Sequence, residues 1–346
     1  MHSIKGLTRA LTLAATLSLL PTSASAQQTV RIAQGVASLS FLPVWGARAL
    51  NSFGPQGLNA TVLLSPGGDP TALAALDSGD ADLAAVGTET ALRAVAKGQP
   101  FEIVYNLMSR VTAEIVVAPS FLEKAGVKPG DPLEKRIAAL KDATIGVAAV
   151  GGTQETAARW LAAKGGLNPK TDIKIAQVGG PVALQAALEN KRIDAFVLSP
   201  PEGFLATKSG AGTILISLGD EFPLLANQPF LVLVAKKPID DKVSELIVKT
   251  ARAMQAASAK MVADPESSAQ AIQKQFFAKA DPAAIVAAVK AMSSGVAGGG
   301  TLDVQAIQNQ LVFSKEVGTD FGKDFDAAAS QNEVWTNSFV ERAAKK

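Results

Sequence analysis

The sequence predicts an α/β fold with two lobes of similar build, followed by a helical C-terminal region. Strand candidates alternate with helix candidates up to about residue 235, which is typical of parallel βαβ units because parallel strands need a crossover connection. The segment 65–83 also matches the segment 177–195 without a gap, and paired glycines, an Ala-Ala-Leu and a later Asp fall in register. Two similar α/β lobes leave a cleft between them, where a ligand would bind.

The strands are predicted from short apolar runs that are bounded by Gly, Pro or Asp. These runs cover 29–33, 60–64, 83–86, 101–106, 113–118, 144–148, 172–177, 195–198 and 230–235. The helices between them are expected over about 44–50, 71–77, 88–97 and 153–164, with another in the second copy of the repeat. Thr88 is the expected N-cap of its helix, because Thr is among the residues favoured at that position.

The C-terminal region, from Asp240 onward, has the pattern of helices only. Asp264-Pro265 and Asp281-Pro282 each place a capping Asp just before a proline at the first helical position. Gly298-Gly299-Gly300 predicts a break between two helices, with Thr301 as the next N-cap.

The first 26 residues have the pattern of a secretory signal peptide. Lys5 and Arg9 precede an apolar stretch over 10–20, and Ala24-Ser25-Ala26 is a small-residue cleavage site. The apolar stretch is far shorter than the ~20 residues needed to span a bilayer. We therefore expect an exported, periplasmic protein that starts near Gln27, the alternative being an ordinary N-terminal helix.

The composition excludes most catalytic chemistry in the mature chain. The only histidine, His2, lies in the predicted signal peptide, and the sequence contains no cysteine. This excludes Ser-His and Cys-His nucleophile pairs, zinc sites built on imidazole or thiolate, and c-type haem attachment. Catalysis by Asp and Glu stays open, but we expect a binding protein without a cofactor or metal, and not an enzyme.

The charge balance argues against nucleic acid and anionic membranes as partners. The sequence has 33 Lys and Arg against 31 Asp and Glu, and two of the basic residues, Lys5 and Arg9, leave with the signal peptide. The mature chain is therefore neutral and shows no basic run. A small molecule is the expected partner, and a monomer the expected state.

Several motifs, taken in order, resemble the periplasmic substrate-binding proteins of ABC importers in the nitrate/sulfonate/taurine and NMT1/THI5-like group. The resemblance covers most of the mature chain up to about residue 235. Its motifs are Gly68-Asp69, Ala74-Ala75-Leu76, Gly79-Asp80-Ala81-Asp82-Leu83, Lys97-Gly98, Gly151-Gly152-Thr153, Gly165-Gly166-Leu167-Asn168-Pro169, Ala186-Ala187-Leu188, Ile193-Asp194-Ala195 and Ser199-Pro200-Pro201.

The resemblance implies a two-lobed type II periplasmic binding protein fold. Lobe I would combine 27–112 with 229–346, lobe II would comprise 113–228, and the chain would cross between them near 111–113 and 228–229. The lobes would close around one small molecule, and the closed form would dock on an ABC permease in the inner membrane.

The candidate ligand-binding residues follow strand ends, where helix N-termini with unpaired N–H groups meet the cleft and favour an anion. They are Ser38, Leu39, Ser40, Phe41, Thr88, Glu89, Arg110, Gly152, Thr153, Gln154, Pro200 and Glu202. For many of them a structural role stays open: loop serines, a helix cap at Thr88 or Thr153, a core position for Phe41, or an ion pair of Arg110 with Glu114 or another acid. Asp82 and Asp194 are expected to satisfy backbone donors in turns.

The ligand class is left between two alternatives. Converging helix N-termini and Arg110 favour a small organic anion such as a sulfonate. Glu89 and Glu202 favour an N–H donor such as a pyrimidine of the thiamine-precursor kind. A periplasmic sensor and an enzyme on the same fold are the further alternatives.

Overall fold

A computed structural model describes residues 27–65, 67–319, 321 and 325–345. The predicted signal peptide, 1–26, lies outside the described residues. Within the described part of the chain, every helix is too short or too polar to cross a bilayer.

The first sheet combines four strands from the first third of the chain with β10, which follows the second sheet, and its order is β2-β1-β3-β10-β4. Strands β1, β2 and β3 are parallel, and β10 runs antiparallel to both of its neighbours. The elements of this part are β1 (Gln28–Gln34), α1 (Leu42–Ala49), β2 (Leu58–Leu64), α2 (Asp69–Ser78), β3 (Leu83–Gly87), α3 (Thr88–Ala96) and β4 (Phe101–Met108), with β10 at Leu231–Lys236.

The second sheet lies in the middle of the chain and has the order β7-β6-β8-β5-β9, with β5 antiparallel to both of its neighbours. Its elements are β5 (Glu114–Val117), α4 (Pro119–Ala125), α5 (Leu133–Ala138), β6 (Thr144–Val147), α6 (Thr153–Lys164), β7 (Lys174–Gln177), α7 (Pro181–Glu189), β8 (Ala195–Leu198), α8 (Glu202–Ser209), β9 (Thr213–Ser217), α9 (Leu218–Glu221) and α10 (Pro223–Ala226). We keep the names lobe I and lobe II for the parts that contain the first and the second sheet.

The repeated sequence segment has the same structure in both lobes. It forms β2-α2-β3 in lobe I and β7-α7-β8 in lobe II. Asp82 accepts a hydrogen bond from the backbone N–H of Arg31 at 2.7 Å, and Asp194 accepts one from Thr144 at 2.8 Å. Asp82 thus joins the start of β3 to β1, and Asp194 joins the start of β8 to β6, which confirms that these residues satisfy backbone donors.

Both sheets present the carboxyl ends of their parallel strands to the same junction. In lobe I, β4 runs parallel to β3, so the chain leaves for lobe II from the carboxyl edge of the sheet. In lobe II, the first residue of β5, Glu114, pairs with the last residue of β8, Leu198, so the chain enters at the carboxyl edge of that sheet. In open α/β sheets this edge is where ligands bind.

The two crossings between the lobes are hydrogen-bonded to each other. Gln228 donates its N–H to the carbonyl of Ser109 at 3.1 Å, and Val111 donates to Leu225 at 2.9 Å. Phe230 packs against the hydrophobic cores of both lobes. The lobes are therefore connected by a paired, partly buried strap and not by two independent linkers.

The C-terminal region contains α11 (Asp241–Ala263), α12 (Pro265–Phe276), α13 (Pro282–Met292), α14 (Val304–Glu316) and α15 (Ser338–Ala344). Asp264 and Asp281 accept N–H groups in the first turns of α12 and α13, which confirms both predicted caps. The prediction for Thr301 was wrong. Asp303 caps α14 by accepting the N–H of Ala306, because the chain needs two more residues after the glycines to reach the helix.

Helix α14 contacts both lobes, a feature that the sequence did not indicate. Ile307 lies in a core cluster of lobe I, whereas Phe313 lies in the core of lobe II against Trp160. Glu316 accepts the indole N–H of Trp160 at 2.8 Å and pairs with Lys164 at 2.7 Å. Apolar and charged partners therefore hold the second half of α14 on lobe II.

The paired aspartates generate a stability prediction. Asp194→Ala should lower the free energy of unfolding by about 1–3 kcal/mol, because the N–H of Thr144 loses its acceptor. Asp82→Ala should cost at least as much, because it also removes the ion pair with Arg31. Urea unfolding measures both effects. The control is Asp80→Ala, at an exposed residue that accepts a bond from Ser78, and equal losses in all three variants would contradict the prediction.

Candidate ligand-binding site

The candidate site is the junction between the carboxyl edges of the two sheets. We call this region the junction throughout. It comprises the end of β2 at residue 64, the connections 35–41, 65, 67–68, 148–152, 178–180 and 199–201, the first turns of α2, α3, α6, α7 and α8, and the crossings 109–113 and 227–230.

A chain of hydroxyl groups joins the two lobes at the hinge end of the junction. Ser40 in lobe I lies 2.9 Å from Thr112 in the first crossing, and Thr112 donates to Ser199 in lobe II at 3.0 Å. Thr112 has one hydroxyl hydrogen, so Ser40 must donate to Thr112. Sequence reasoning selected Ser40 and placed Ser199 in the motif at the start of α8. It missed the hydroxyl of Thr112, whose position in the predicted crossing was the available signal.

The other candidates in the connection 35–41, between β1 and α1, have structural roles. Leu39 and Phe41 are buried in the core of lobe I, 0% and 2% exposed, so their side chains do not line the junction. Ser38 accepts the N–H of Ser40 at 3.2 Å through its hydroxyl, and its carbonyl accepts the indole N–H of Trp45 at 2.8 Å. Of the four candidates here, Ser40 is the one whose side chain reaches across to the crossing.

At the start of α3, Thr88 is the first helical residue and not the cap, because Gly87 occupies the N-cap position. The Thr88 hydroxyl is buried and has no hydrogen-bond partner among the described residues. Glu89 pairs with Arg93 and accepts the hydroxyl of Thr319 at 2.7 Å. Glu89 is thus already engaged with a residue of its own helix and with the segment after α14.

At the start of α6, the helix N-terminus is complemented by its own carboxylate. Gly152 occupies the N-cap position, and Thr153 is the first helical residue. Glu155 accepts the N–H of Gly151 at 2.7 Å, and this bond, together with Arg159, lowers the pKa of its carboxyl. Gln154 is turned back to the strand end, where its side-chain oxygen accepts the N–H of Ala148 at 3.2 Å.

The same arrangement recurs at other helix starts of the junction. An acid lies in the first turn of each of four helices, namely Asp69 in α2, Glu89 in α3, Glu155 in α6 and Glu202 in α8. Asp69 accepts the N–H of Gly87 at 2.9 Å, and its burial raises the pKa of its carboxyl. Because a carboxylate near a helix N-terminus complements the helix dipole, these four ends offer less to an incoming anion than bare ends would.

Arg110 is the one Lys or Arg in the connections and crossings of the junction. It pairs with Asp220 of α9, and its guanidinium lies 3.4 Å from the hydroxyl of Ser294. The sequence left open that Arg110 forms an ion pair with an acid instead of binding a ligand. In the structure it does form such a pair, and the acid is Asp220, not Glu114.

Glu114, the first residue of β5, is the most unusual side chain of the junction. It is 5% exposed, and its Oε2 has no hydrogen-bond partner within the described part of the chain. It lies beneath the first turn of α8, where a Cβ on Gly203 would stand 2.3 Å from that oxygen. Burial, with the nearby charges of Glu202 and Asp220, raises the pKa of Glu114 to about 8, and burial raises the pKa of Glu202 to about 7.

A small cavity opens beside Glu114, between the lobes. Its volume of about 20 Å³ is enough for one group the size of a water molecule. The wall combines the crossing, lobe II and the end of α13, and includes Thr112, Glu114, Pro200, Asp220, Ala291 and Met292. Pro200, a candidate from the sequence, is buried and precedes a cis peptide bond to Pro201.

Exposed apolar side chains gather at the junction. Of the seven large apolar side chains that are well exposed among the described residues, four lie here, each more than half exposed. They are Val36 and Leu64 in lobe I and Val150 and Val182 in lobe II. Single exposed apolar residues are normal, but four around one cleft indicate a surface that an organic group can contact.

No group of three or more acidic residues in the described ranges is placed to hold a metal ion. The junction therefore combines hydroxyl groups, backbone amides, buried carboxyls and apolar side chains. These groups can bind a small molecule through hydrogen bonds, charge and apolar contact.

The chain belongs to the NMT1-like family, which it matches over residues 14–276. The curated relative YtlA of Bacillus subtilis (strain 168), named as a candidate binding protein, is 24% identical over 226 residues, or 65% of this chain. The match spans 64% of the length of that relative.

Solved structures share the fold over most of the chain. A protein of Bordetella bronchiseptica RB50 is 26% identical with a TM-score of 0.69, covering 91% of this chain and 96% of that one. The ligand-binding component of an ABC-type import system from Staphylococcus aureus, solved with zinc, is 18% identical, with a TM-score of 0.68 and coverages of 92% and 100%. The alkanesulfonate-binding protein SsuA from Xanthomonas axonopodis pv. citri, bound to MOPS, is 19% identical, with a TM-score of 0.64 and coverages of 89% and 98%. The periplasmic binding protein fold predicted from the sequence is confirmed.

The raised pKa of Glu114 generates a prediction about stability and pH. The folded protein keeps a proton on Glu114 up to about pH 8, whereas the unfolded chain releases it near pH 4.5. The stability from this group is complete below pH 4.5 and is lost as the pH rises toward 8. Glu114→Gln should therefore raise the melting temperature at pH 8 by a few degrees and flatten its decline between pH 5 and 8.

Thermal unfolding of the unliganded protein at several pH values measures this effect. The matched control is Glu123→Gln, at an exposed residue of α4 in the same lobe, and its curve should follow that of the wild type. Parallel curves for wild type and Glu114→Gln would contradict the prediction.

Proposed function

We propose that this protein is the solute-binding component of an ABC importer, exported to the periplasm, where it captures a small organic molecule between its two lobes. The observation that carries the proposal is the pair of sheets with the same strand order, which face each other through their carboxyl edges across hydrogen-bonded crossings. That geometry encloses a ligand when the lobes close and releases it when they open.

Several further findings support the proposal. The chain belongs to the NMT1-like family, and it shares its fold with an ABC-type import component and with an alkanesulfonate-binding protein. The predicted signal peptide supports export, and an ABC permease in the inner membrane is the partner that such a component requires. We propose a monomer, because two lobes of one chain build the whole junction.

The first ligand class to weigh is a small organic anion, sulfonate-like, as the sequence favoured. The name of the Xanthomonas relative supports it. The charges of the junction do not favour it, since Arg110 is paired with Asp220 and four helix N-termini carry their own acids. An anion would have to displace these carboxylates or compete with them.

The second class, an N–H donor such as a pyrimidine of the thiamine-precursor kind, agrees better with these charges. Glu202 is a carboxyl at the cleft without an ion-pair partner among the described residues. The four exposed apolar side chains favour a ligand with an apolar body over a small inorganic ion. We therefore propose an organic N–H donor as the ligand and keep the sulfonate-like anion as the competing candidate.

We propose no catalytic activity for the protein. A solute recovered in chemically altered form from the purified protein would contradict this. The adjacent presence of a permease and an ATPase gene would separate import from a sensor role on the same fold.

Thermal unfolding with matched ligand pairs tests the ligand class. Residues 27–346 are refolded to remove carried-over solute and are then mixed with benzamidine or benzoate, butylamine or butanesulfonate, and 4-aminopyrimidine. A ligand at a hundred times its dissociation constant adds about 2.7 kcal/mol to the free energy of unfolding, which raises the melting temperature by several degrees. We expect the N–H donors to raise it more than the anion of each pair.

A consistent preference for butanesulfonate and benzoate would instead favour the sulfonate-like anion. If neither these compounds nor any solute that copurifies with the native protein raises the melting temperature, the proposed capture function is wrong.

A further inference from the structure

We propose that Glu114, assisted by Glu202, is the group that binds the N–H donor head of the captured solute, in the cavity between the lobes. The group that enters the cavity would be an ammonium, one NH₂ group of an amidinium, or the amino group of an amino-heterocycle. This inference rests on the proposed function, because it assumes that a solute enters the junction.

The first argument is the state of the Glu114 carboxyl. It is 5% exposed, and one of its oxygens has no hydrogen-bond partner among the residues described. Leaving a buried polar group without a partner costs free energy, and most buried polar groups in proteins are hydrogen-bonded. Glu114 lines the cavity, so a donor that enters the cavity can bind this carboxyl, whose unpartnered oxygen lies beneath Gly203.

The second argument is the balance of charge around that carboxyl. Glu202 on α8 and Asp220 on α9 both face Glu114 and disfavour its ionised form. The cation on the crossing, Arg110, is engaged with Asp220. A positively charged or N–H-rich group placed in the cavity against Glu114 would offset the repulsion that Glu202 and Asp220 exert on its ionised form.

The remaining elements around the cavity contribute no further charge. The end of α13 contributes Ala291 and Met292 to the wall, and the segment after β8 contributes Pro200. The strand β9 contributes Ser217, whose hydroxyl does not titrate near neutral pH. The acids therefore set the charge preference of the cavity.

Size decides which part of the solute enters. The cavity of about 20 Å³ holds a group as large as one water molecule, not a whole solute. Thr112 lines the cavity and also belongs to the hydroxyl chain that reaches Ser199. The head group would lie at Glu114, while the body of the solute would extend past this chain toward exposed side chains such as Val36 and Val150.

Protonation distinguishes the possible head groups. With a pKa of about 8, Glu114 holds its proton near neutral pH before a solute binds, whereas Glu202, with a pKa of about 7, is about half protonated there. A cationic head favours the ionised form of Glu114, so its binding releases about one proton, and its affinity rises about tenfold from pH 6 to pH 7. A neutral amino-heterocycle keeps the proton, because the acid donates to the ring nitrogen and accepts from the amino group.

Calorimetric titration with benzamidine tests the inference, with benzoate as a probe of the same shape and opposite charge. We expect the wild type to bind benzamidine with release of about one proton at pH 7, measured in buffers that differ in ionisation enthalpy. Glu114→Gln should weaken this binding at least about tenfold and abolish the proton release. Glu123→Gln, the exposed control in lobe II, should bind as the wild type does.

Glu202→Gln tests the role of charge through the pH dependence of benzamidine affinity. This dependence would not change if Glu202 had only a structural role. Removing the Glu202 charge should lower the pKa of Glu114, since that charge raises it, and should shift the pH dependence of benzamidine affinity to lower pH. Melting curves of each variant show whether it is folded before it is titrated.

Three results would overturn the inference. One is unchanged benzamidine affinity in folded Glu114→Gln, another is tighter binding of benzoate than of benzamidine to the wild type, and the third is no binding of benzamidine or 4-aminopyrimidine. If a different solute still binds and closes the lobes in any of these cases, the proposed role of Glu114 is wrong but the proposed function stands. The proposed function is wrong when no solute binds at all.

Discussion

The hydrogen-bonded crossings between the lobes are the constraint on which the rest of the structure depends. Because Gln228 bonds to Ser109 and Val111 bonds to Leu225, both crossings leave the sheets at one place, and both carboxyl edges must face it. The duplicated β-α-β units then place equivalent helix N-termini on the two sides. Helix α14 adds a third connection through Phe313 and Glu316, so any relative motion of the lobes must accommodate contacts on this side as well.

The chemistry of the junction follows from which groups the fold leaves without a partner. Helix N-termini alone would suit an anion, but Asp69 and Glu155 place carboxyls at these helix starts, where they accept the N–H groups of Gly87 and Gly151. The guanidinium of Arg110 is paired with Asp220. Glu114 is the contrasting case, a buried carboxyl beside a cavity, and one of its oxygens has no hydrogen-bond partner among the described residues. It directs recognition toward N–H donors.

The sequence was sufficient to predict those parts of the structure that a local pattern determines. The repeat predicted the shared β-α-β unit, and Asp-Pro pairs predicted helix starts at Asp264 and Asp281. It was insufficient where contacts join distant residues. Arg110 and Asp220 are far apart in the chain, and the burial of Glu114 depends on how α8 packs over β5, which no local pattern reports. The sequence therefore predicts a site at the carboxyl edges of the sheets, but it did not predict which charged groups there are already paired.

The central claim, capture by closure of two lobes, is tested most directly by a distance between them. The sequence contains no cysteine, so Asp80→Cys and Arg192→Cys place one spin label at equivalent, exposed turns of the two copies of the repeat. Pulsed electron paramagnetic resonance then measures the distance with and without a solute that raises the melting temperature. We predict that the solute shifts the distribution to a shorter, narrower distance. An unchanged distribution at saturation would contradict the account.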